Sequence, residues 1–396
     1  MLYIRADGNT EIGMGHVMRC LSVAEAAADR DSLHPPVFIT ADAGCRAMIE
    51  DRGFRVIVLN TDFRDMMSEL PRLEDILRRE QNIAGTVLLV DSYQAHSAYY
   101  SALKKMEAGK YVRVACFEDM GKAYPADLLI NYNIYALDLE QNYRWPGVEN
   151  PQRVLLGARY MPLRKAFQKP AEYVVKDKVT DVIITTGGSD PHFATAAFVE
   201  ALRGDETIAG QGIHLHLVSG PFNRFADELK RRYQNSGERE HHDNGISITI
   251  HENVKDMRSL LLESDVVISA TGSTIYEVSS LGVPMIVFYF AENQRQGAEA
   301  LEKRTDIVNA GCFAGNGAAV ADRIRTTLKR CIGDKEYRER LHWQEKGLID
   351  GKGAHRIAEQ LLELAAAPRG CADGNPSAIH LQQNMSRADG NDRNEV

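Results

Sequence analysis

Three short segments of this 396-residue chain combine glycine with groups able to move a proton or hold a phosphate. In the first, Gly13-Met14-Gly15-His16, an imidazole sits directly behind two glycines. Histidine titrates near neutrality and can take a proton from water as a bond forms, which is what hydrolysis requires. The second, Thr186-Gly187-Gly188-Ser189-Asp190-Pro191, offers amides, a hydroxyl and a carboxylate. The third, Ser269-Ala270-Thr271-Gly272-Ser273-Thr274 followed by Glu277, is richer. Its hydroxyls and amides can hold a diphosphate, while the carboxylate suits ribose hydroxyls, so it reads as a nucleotide site. A plainer alternative makes Thr274 an N-cap and Glu277 its capping-box partner. The second segment, taken alone, is equally a tight strand-to-helix turn. His16, likewise, could be a first-turn residue satisfied by a carbonyl. Asp7 and Asp91 are candidates to orient His16 or to bind sugar hydroxyls, and Asp91 is equally an N-cap.

Each segment follows an apolar run and opens a helix. Met1 to Arg5 reads as a strand, Asp7-Gly8-Asn9 as a turn, and His16 to Ala28 as a helix with apolar recurrence at Val17, Leu21, Ala24 and Ala28. Short β-branched runs then recur at 37–40, 56–59, 86–90, 112–117, 128–130 and 154–156, separated by amphipathic stretches. This alternation predicts parallel strands with crossover helices. It restarts at 181–185 and continues through 213–219, 246–250, 266–269 and 285–290, with helices at 193–202 and 275–281. The expected fold is α/β, with two doubly wound Rossmann-type domains and the ligand in the cleft between them, outside the carboxyl ends of the strands. The divisions are residues 1–160, a linker at 161–178, and 179–367 with terminal helices at 319–332 and 355–364. These helices are expected on the second domain, with a possible return to the first. Beyond Pro368 the chain is polar with few large apolar residues, and a disordered tail is expected at 368–396.

Composition removes several classes. The formal charge of −8 leaves no basic stripe, and Lys230-Arg231-Arg232 is too short for a nucleic-acid surface, so no nucleic-acid partner is expected. No run approaches the roughly 20 apolar residues of a membrane span, and the amino terminus lacks signal-peptide regions. A cytoplasmic monomer without membrane insertion is expected. Six dispersed cysteines form no CxxC pair and read as reduced thiols. His214 and His216, in an alternating segment, and the His241-His242 pair read as strand and loop positions, and neither metal nor cofactor is expected. No GxxxxGK[ST] occurs, nor does the first loop continue as GxGxxG, which removes support for P-loop ATPase and dinucleotide readings.

The run Arg5, Asp7, Asn9, Ile12, Gly13, Gly15, His16, Arg19, Cys20, Leu21, taken with Gly187-Gly188-Ser189-Asp190 and the 269–277 block, resembles the PseG family. These are hydrolases of UDP-2,4-diacetamido-2,4,6-trideoxy-β-L-altropyranose in pseudaminic acid biosynthesis. The resemblance extends to about Ala298, through Leu128 to Asn133, Leu156-Gly157, Tyr160, Leu163-Arg164 and Ala291-Glu292-Asn293-Gln294. It implies a GT-B-like enzyme, related to MurG and to spore-coat polysaccharide proteins, that removes UDP from a sugar nucleotide without a metal. His16 would be the base that deprotonates water attacking the anomeric carbon, with inversion. Asp7, Asn9, Gly13, Gly15, Asp91, Asn131 and Asn133 would line the sugar. Gly187, Gly188, Ser189, Asp190, Thr271, Gly272, Ser273, Thr274, Glu277, Asn293 and Gln294 would hold UDP. The alternative within the same fold is a UDP-sugar glycosyltransferase of surface or spore-coat polysaccharide synthesis. The long helical carboxyl-terminal part and the tail depart from the family.

Overall fold

Most strands of this chain are apolar and rich in β-branched residues, as parallel strands covered on both faces must be, whereas His214–Ser219 and Ser247–Glu252 alternate apolar with polar residues. The structure is a computed structural model and describes residues 1–367 apart from 10, 80–84, 107, 109–111, 144–152, 171 and 234–244. The 368–396 tail, Cys371, His241 and His242 lie outside the described residues. In the first half, β1 (Leu2–Ala6), α1 (Gly15–Arg30), β2 (Val37–Thr40), α2 (Arg46–Glu50), β3 (Arg55–Val58) and α3 (Met66–Arg79) come first. They are followed by β4 (Thr86–Asp91), α4 (Ser97–Lys105), β5 (Val112–Phe117), β6 (Leu128–Asn131) and β7 (Arg153–Leu156). The seven strands form one parallel sheet ordered β3-β2-β1-β4-β5-β6-β7.

The second half repeats the plan. It runs β8 (Asp181–Thr185), α5 (Ala194–Arg203), α6 (Glu206–Ala209), β9 (His214–Ser219), α7 (Ala226–Tyr233), β10 (Ser247–Glu252) and α8 (Met257–Glu263). β11 (Val266–Ala270), α9 (Thr274–Leu281), β12 (Met285–Tyr289), α10 (Glu292–Arg304) and β13 (Asn309–Cys312) complete the sheet. Its order is β10-β9-β8-β11-β12-β13, again parallel. Twelve of the thirteen strands fall where periodicity places them. β13 was not expected, because Asn309-Ala310-Gly311-Cys312 has no β-branched residue and pairs irregularly at the sheet edge. No helix among the described residues is long and apolar enough to cross a membrane.

Three helices follow: α11 (Gly317–Gly333), α12 (Lys335–Leu348) and α13 (Gly353–Ala366). The first two pack on the second sheet's helices and strands, α11 against α5 and β13, α12 against α9. α13 returns to the first half and lies against α1, β1, β4 and β5. Ala354, Ile357, Ala358, Leu361 and Leu364 recur at helical spacing and are buried in the same cluster as Val17, Leu21 and Ala24 of α1. The return is close: a Cβ on Gly353 would stand 2.1 Å from the Met161 carbonyl oxygen. Both sheets belong to one unit, Met1–Ala366.

The strand orders place the three glycine segments. Sheet order reverses between β1 and β4 in the first half and between β8 and β11 in the second. Segment 13–16 follows β1, Asp91 ends β4, segment 186–190 follows β8 and segment 271–274 follows β11. All lie at topological switch points, where diverging connections open a crevice at the carboxyl ends of the strands.

Candidate active site

His16 is the second residue of α1, and its ring is held from one side only. Nδ1 lies 2.7 Å from Asp91 Oδ1. Burial alone would raise the Asp91 carboxyl, but the Arg19 guanidinium and His16 outweigh it and hold the group well below the usual carboxylate range. An ionised carboxylate only accepts, so Nδ1 carries the proton and donates it to Asp91, which leaves the Nε2 lone pair available. Nε2 has no hydrogen-bond partner among the described residues. The first-turn carbonyl alternative for His16 is therefore not what the ring does, nor is Asp91 an N-cap.

Arg19 stands one helical turn from His16 on the same face. It donates to both Asp91 oxygens, from Nε to Oδ2 and from Nη2 to Oδ1, each at 2.6 Å. Its Nη1 donates to Asp119 at 2.9 Å and to the Tyr132 hydroxyl at 2.7 Å. The guanidinium carbon also lies 4.8 Å from the Phe117 ring centre, so the buried cation is surrounded by acceptors and π faces. Tyr93 meets the imidazole edge-on at 4.6 Å, donates to Asp119 at 3.0 Å, and leaves most of its side chain in solvent.

Asp119 carries the network onward. It accepts from Asn133 Nδ2 at 3.0 Å, and Asn133 Oδ1 accepts from the Tyr276 hydroxyl in the first turn of α9 at 3.3 Å. The same hydroxyl accepts the Ile134 amide at 3.3 Å. A chain of polar contacts thus runs from the imidazole, through Asp91, Arg19, Asp119 and Asn133, to the helix of the third segment in the other sheet.

At that helix, Ser273 and Thr274 have no hydrogen-bond partner for their hydroxyls among the described residues, and α9 has no side-chain cap. The capping-box alternative is absent. Instead Glu277 accepts a forked pair from Arg164, Nε to Oε1 at 2.6 Å and Nη2 to Oε2 at 2.8 Å. Gly272 and Ser273 are exposed; the Gly272 amide is given to the Ala270 carbonyl at 2.9 Å, so it is the Ser273 and Thr274 amides and hydroxyls that face open space at the positive end of the helix.

The other expected residues divide by what already occupies their polar atoms. Asp7 is buried, taking Arg5 Nη1 at 2.6 Å on one oxygen and the Ala41 amide at 2.7 Å on the other. Asn9 folds its own loop, accepting the Glu11 and Ile12 amides at 2.9 and 3.1 Å. Asn131 is fully buried between the Tyr143 hydroxyl and the Asn133 amides. Asp190 takes the Ala194 and Thr195 amides at 2.8 and 3.0 Å, so it satisfies the start of α5. Thr271 is tied through both its amide and its hydroxyl to the Phe288 carbonyl. Gln294 accepts the Phe290 amide through Oε1 at 2.9 Å. Gly188, Ser189 and Asn293 are exposed, and Gly187 holds φ +79° beside them.

Arg19, Tyr93, Asp119, Tyr132, Arg164 and Tyr276 received no role from the sequence alone. Two carried a usable signal: Arg19 is three residues from His16 on one helix, and Asp119 follows β5 at a carboxyl end as Asp91 ends β4. Arg164 and Tyr276 carried none, since their partners lie more than a hundred residues away.

The paired switch points define the class of protein: a GT-B fold of two Rossmann-like domains with the cleft between them. Within that class, residues 182–336 match the glycosyltransferase family 28 C-terminal domain. The chain is 27% identical over 365 residues to the spore coat polysaccharide biosynthesis protein SpsG of Bacillus subtilis, covering 91% of this chain and 97% of that one. It is 28% identical over 300 residues to the uncharacterized protein MJ1062 of Methanocaldococcus jannaschii, covering 74% of this chain but 56% of that protein. A UDP-2,4-diacetamido-2,4,6-trideoxy-β-L-altropyranose hydrolase of Campylobacter jejuni is 23% identical over 76% of this chain and 95% of its own. MurG of Acinetobacter baumannii superposes with a TM-score of 0.59 at 12% identity, over 91% of this chain and 99% of that one, a likeness of fold. These likenesses relate the chain to enzymes of nucleotide sugars.

Proposed function

We propose that the protein hydrolyses a UDP-linked 2,4-diacetamido-2,4,6-trideoxyhexose, of the β-L-altro configuration, to the free sugar and UDP, as in pseudaminic acid biosynthesis. The observation that carries this reading is the oriented His16 imidazole, its Nε2 without a partner among the described residues, linked by hydrogen bonds to α9, which has no side-chain cap among them. Water oxygen attacks the anomeric carbon as its proton passes to Nε2, and the bond from that carbon to the β-phosphate oxygen breaks on the opposite face. The electron pair of that bond leaves with UDP. Charge therefore grows on the diphosphate, where the amides and hydroxyls of Ser273, Thr274 and Ser189 and the amide of Gly188 would stabilise it as it develops, while the Gly272 and Gly187 amides, given to the Ala270 carbonyl and the Thr185 hydroxyl, shape the loops. Glu277 keeps lone pairs for ribose hydroxyls beyond its Arg164 fork. Asp7, Asn9, Asn131 and Asp190 would act by holding their loops in place.

Hydrolysis in oxygen-18 water tests the mechanism, with label expected on the sugar. Label found only on UDP would overturn attack at carbon. A second reading is favoured by the near full-length likeness to SpsG: transfer of the sugar to a soluble acceptor in place of water. Release of UDP that requires an added acceptor would select transfer.

The first loop supplies a separate test. Gly13 holds φ +73°, so any replacement there strains the backbone and says little about substrate. Gly15 has no positive φ, and a Cβ placed on it meets nothing within 4 Å. Gly15→Ala is expected to leave the thermal midpoint nearly unchanged, a stability effect within about 0.5 kcal/mol. If the sugar packs on this loop, the added methyl lowers kcat/KM by about tenfold or more. Wild-type kinetics in this variant would show that the substrate does not approach Gly15.

A further inference from the structure

Away from the cleft, three histidines and an aspartate share one face of the second sheet, with Asp181 and His214 at the amino-terminal ends of their strands and His251 farther along its own. Asp181 opens β8, His214 opens β9 with His216 two residues on, and His251 lies on β10. The parallel register sets Asp181 beside His214 and Thr249 beside His216, so these side chains emerge on the same side of the sheet. The sequence showed only the His214 and His216 pair. Strand pairing supplies the rest.

The geometry points to a transition-metal site, of the zinc class, formed by Asp181, His214 and His216. One donor atom from each of these residues lies within 4.8 Å of the others. His216 Nε2 is 3.1 Å and His214 Nδ1 is 4.0 Å from Asp181 Oδ1. The remaining nitrogen of each ring is already held. His214 Nε2 lies 2.8 Å from the Thr249 hydroxyl, and His216 Nδ1 lies 3.0 Å from His251 Nε2. Metal-bound imidazoles characteristically engage their second nitrogen in this way, which sets the tautomer and aims the free lone pair at the ion. Asp181 Oδ2 is turned away, taking the Thr180 hydroxyl at 2.7 Å, with Lys176 Nζ at 4.0 Å and nearer to Asp265. The facing oxygen, Oδ1, is the one left to a cation.

Two imidazoles and one carboxylate are a donor set that suits zinc, cobalt or nickel, with a solvent molecule completing the tetrahedron. His214 is 36% exposed in its side chain, which gives the ion an entry path and that fourth position. A bound ion clamps β8 to β9 and so acts on the stability of the second domain. It lies at the strand ends opposite the switch-point loops, which separates it from the proposed hydrolysis.

The test uses the tag-free full-length protein, stripped with a chelator and titrated with cobalt(II) and then zinc(II). About one equivalent of cobalt is expected to bind with tetrahedral visible absorption, to be displaced by zinc, and to raise the unfolding midpoint through linkage. His214→Ala and His216→Ala are expected to remove the absorption, and His251→Ala to weaken binding by about 10–100-fold. Circular dichroism of His214→Ala, at the most exposed of the three positions, reports whether loss of metal comes from loss of fold. Unchanged cobalt binding in a folded His214→Ala or His216→Ala protein overturns the assignment. Binding that disappears instead in the His241→Ala, His242→Ala double variant overturns it equally, as does failure of the wild-type protein to bind either metal.

Discussion

His16→Asn is expected to lower turnover of the UDP-sugar by about 10²–10⁴-fold while leaving UDP binding in place. The expectation rests on two features of the ring. Nδ1 is committed to Asp91 at 2.7 Å, and the Nε2 lone pair has no hydrogen-bond donor among the described residues. Asparagine can keep the bond to Asp91 through its amide and fills a similar volume, but it offers no basic nitrogen. The diphosphate contacts proposed at α9 belong to the other sheet and are untouched. Steady-state UDP release and calorimetric titration with UDP measure the two quantities separately. Turnover at the wild-type rate would remove His16 as the base, and a parallel loss of UDP affinity would make it a ligand of the nucleotide.

The second large effect is expected from Asp91→Asn, a variant that changes no heavy-atom shape. Asp91 Oδ1 accepts from both His16 and Arg19, and Oδ2 accepts from Arg19 and, at 3.5 Å, from the Cys20 thiol. Every neighbour is a donor. An amide nitrogen at Oδ1 would donate into His16 Nδ1, shift the proton to Nε2 and abolish the base. An amide nitrogen at Oδ2 would oppose the Arg19 Nε–H. The expected loss in kcat is about 10²–10⁴-fold, comparable to that of His16→Asn, because the two residues act as a unit. The double variant should then be little slower than either single one. Losses that multiply would place Asp91 in a separate role. The fold is expected to persist, since Arg19 retains Asp119 and Tyr132, and a thermal midpoint near that of the wild type checks it.

Much of the fold was legible because parallel strands announce themselves locally. A run such as Thr86 to Val90 is apolar and β-branched whatever it pairs with, and a glycine or aspartate at its end marks the carboxyl end of a strand. β13 escaped because edge pairing alone made Asn309 to Cys312 a strand. α13 displays its apolar stripe in the sequence, but that stripe fits any apolar face, and only packing sent it back to α1.

The site divides along the same line. His16, its glycines and the hydroxyl-rich third loop were readable from residue type and position alone, and so was their placement after strands. Which polar groups remain free was not. Asp7 and Asn131 look like ligands in one dimension, yet burial and neighbours from distant segments occupy their donors and acceptors. Asp91 reads as a cap or as a partner until the sheet sets it beside α1, because β1 and β4 are neighbours though about eighty residues apart. Sequence by itself determined the element types, the plan of two parallel sheets and the place of His16 on the loop after the first strand, all of which follow from local propensity, periodicity and residue type. The tertiary structure decided which hydrogen bonds are already made, and with them the imidazole tautomer, the Arg164 fork on Glu277 and the gathering of Asp181 beside His214 and His216. Those depend on strand order and register, which bring together groups that no local pattern connects.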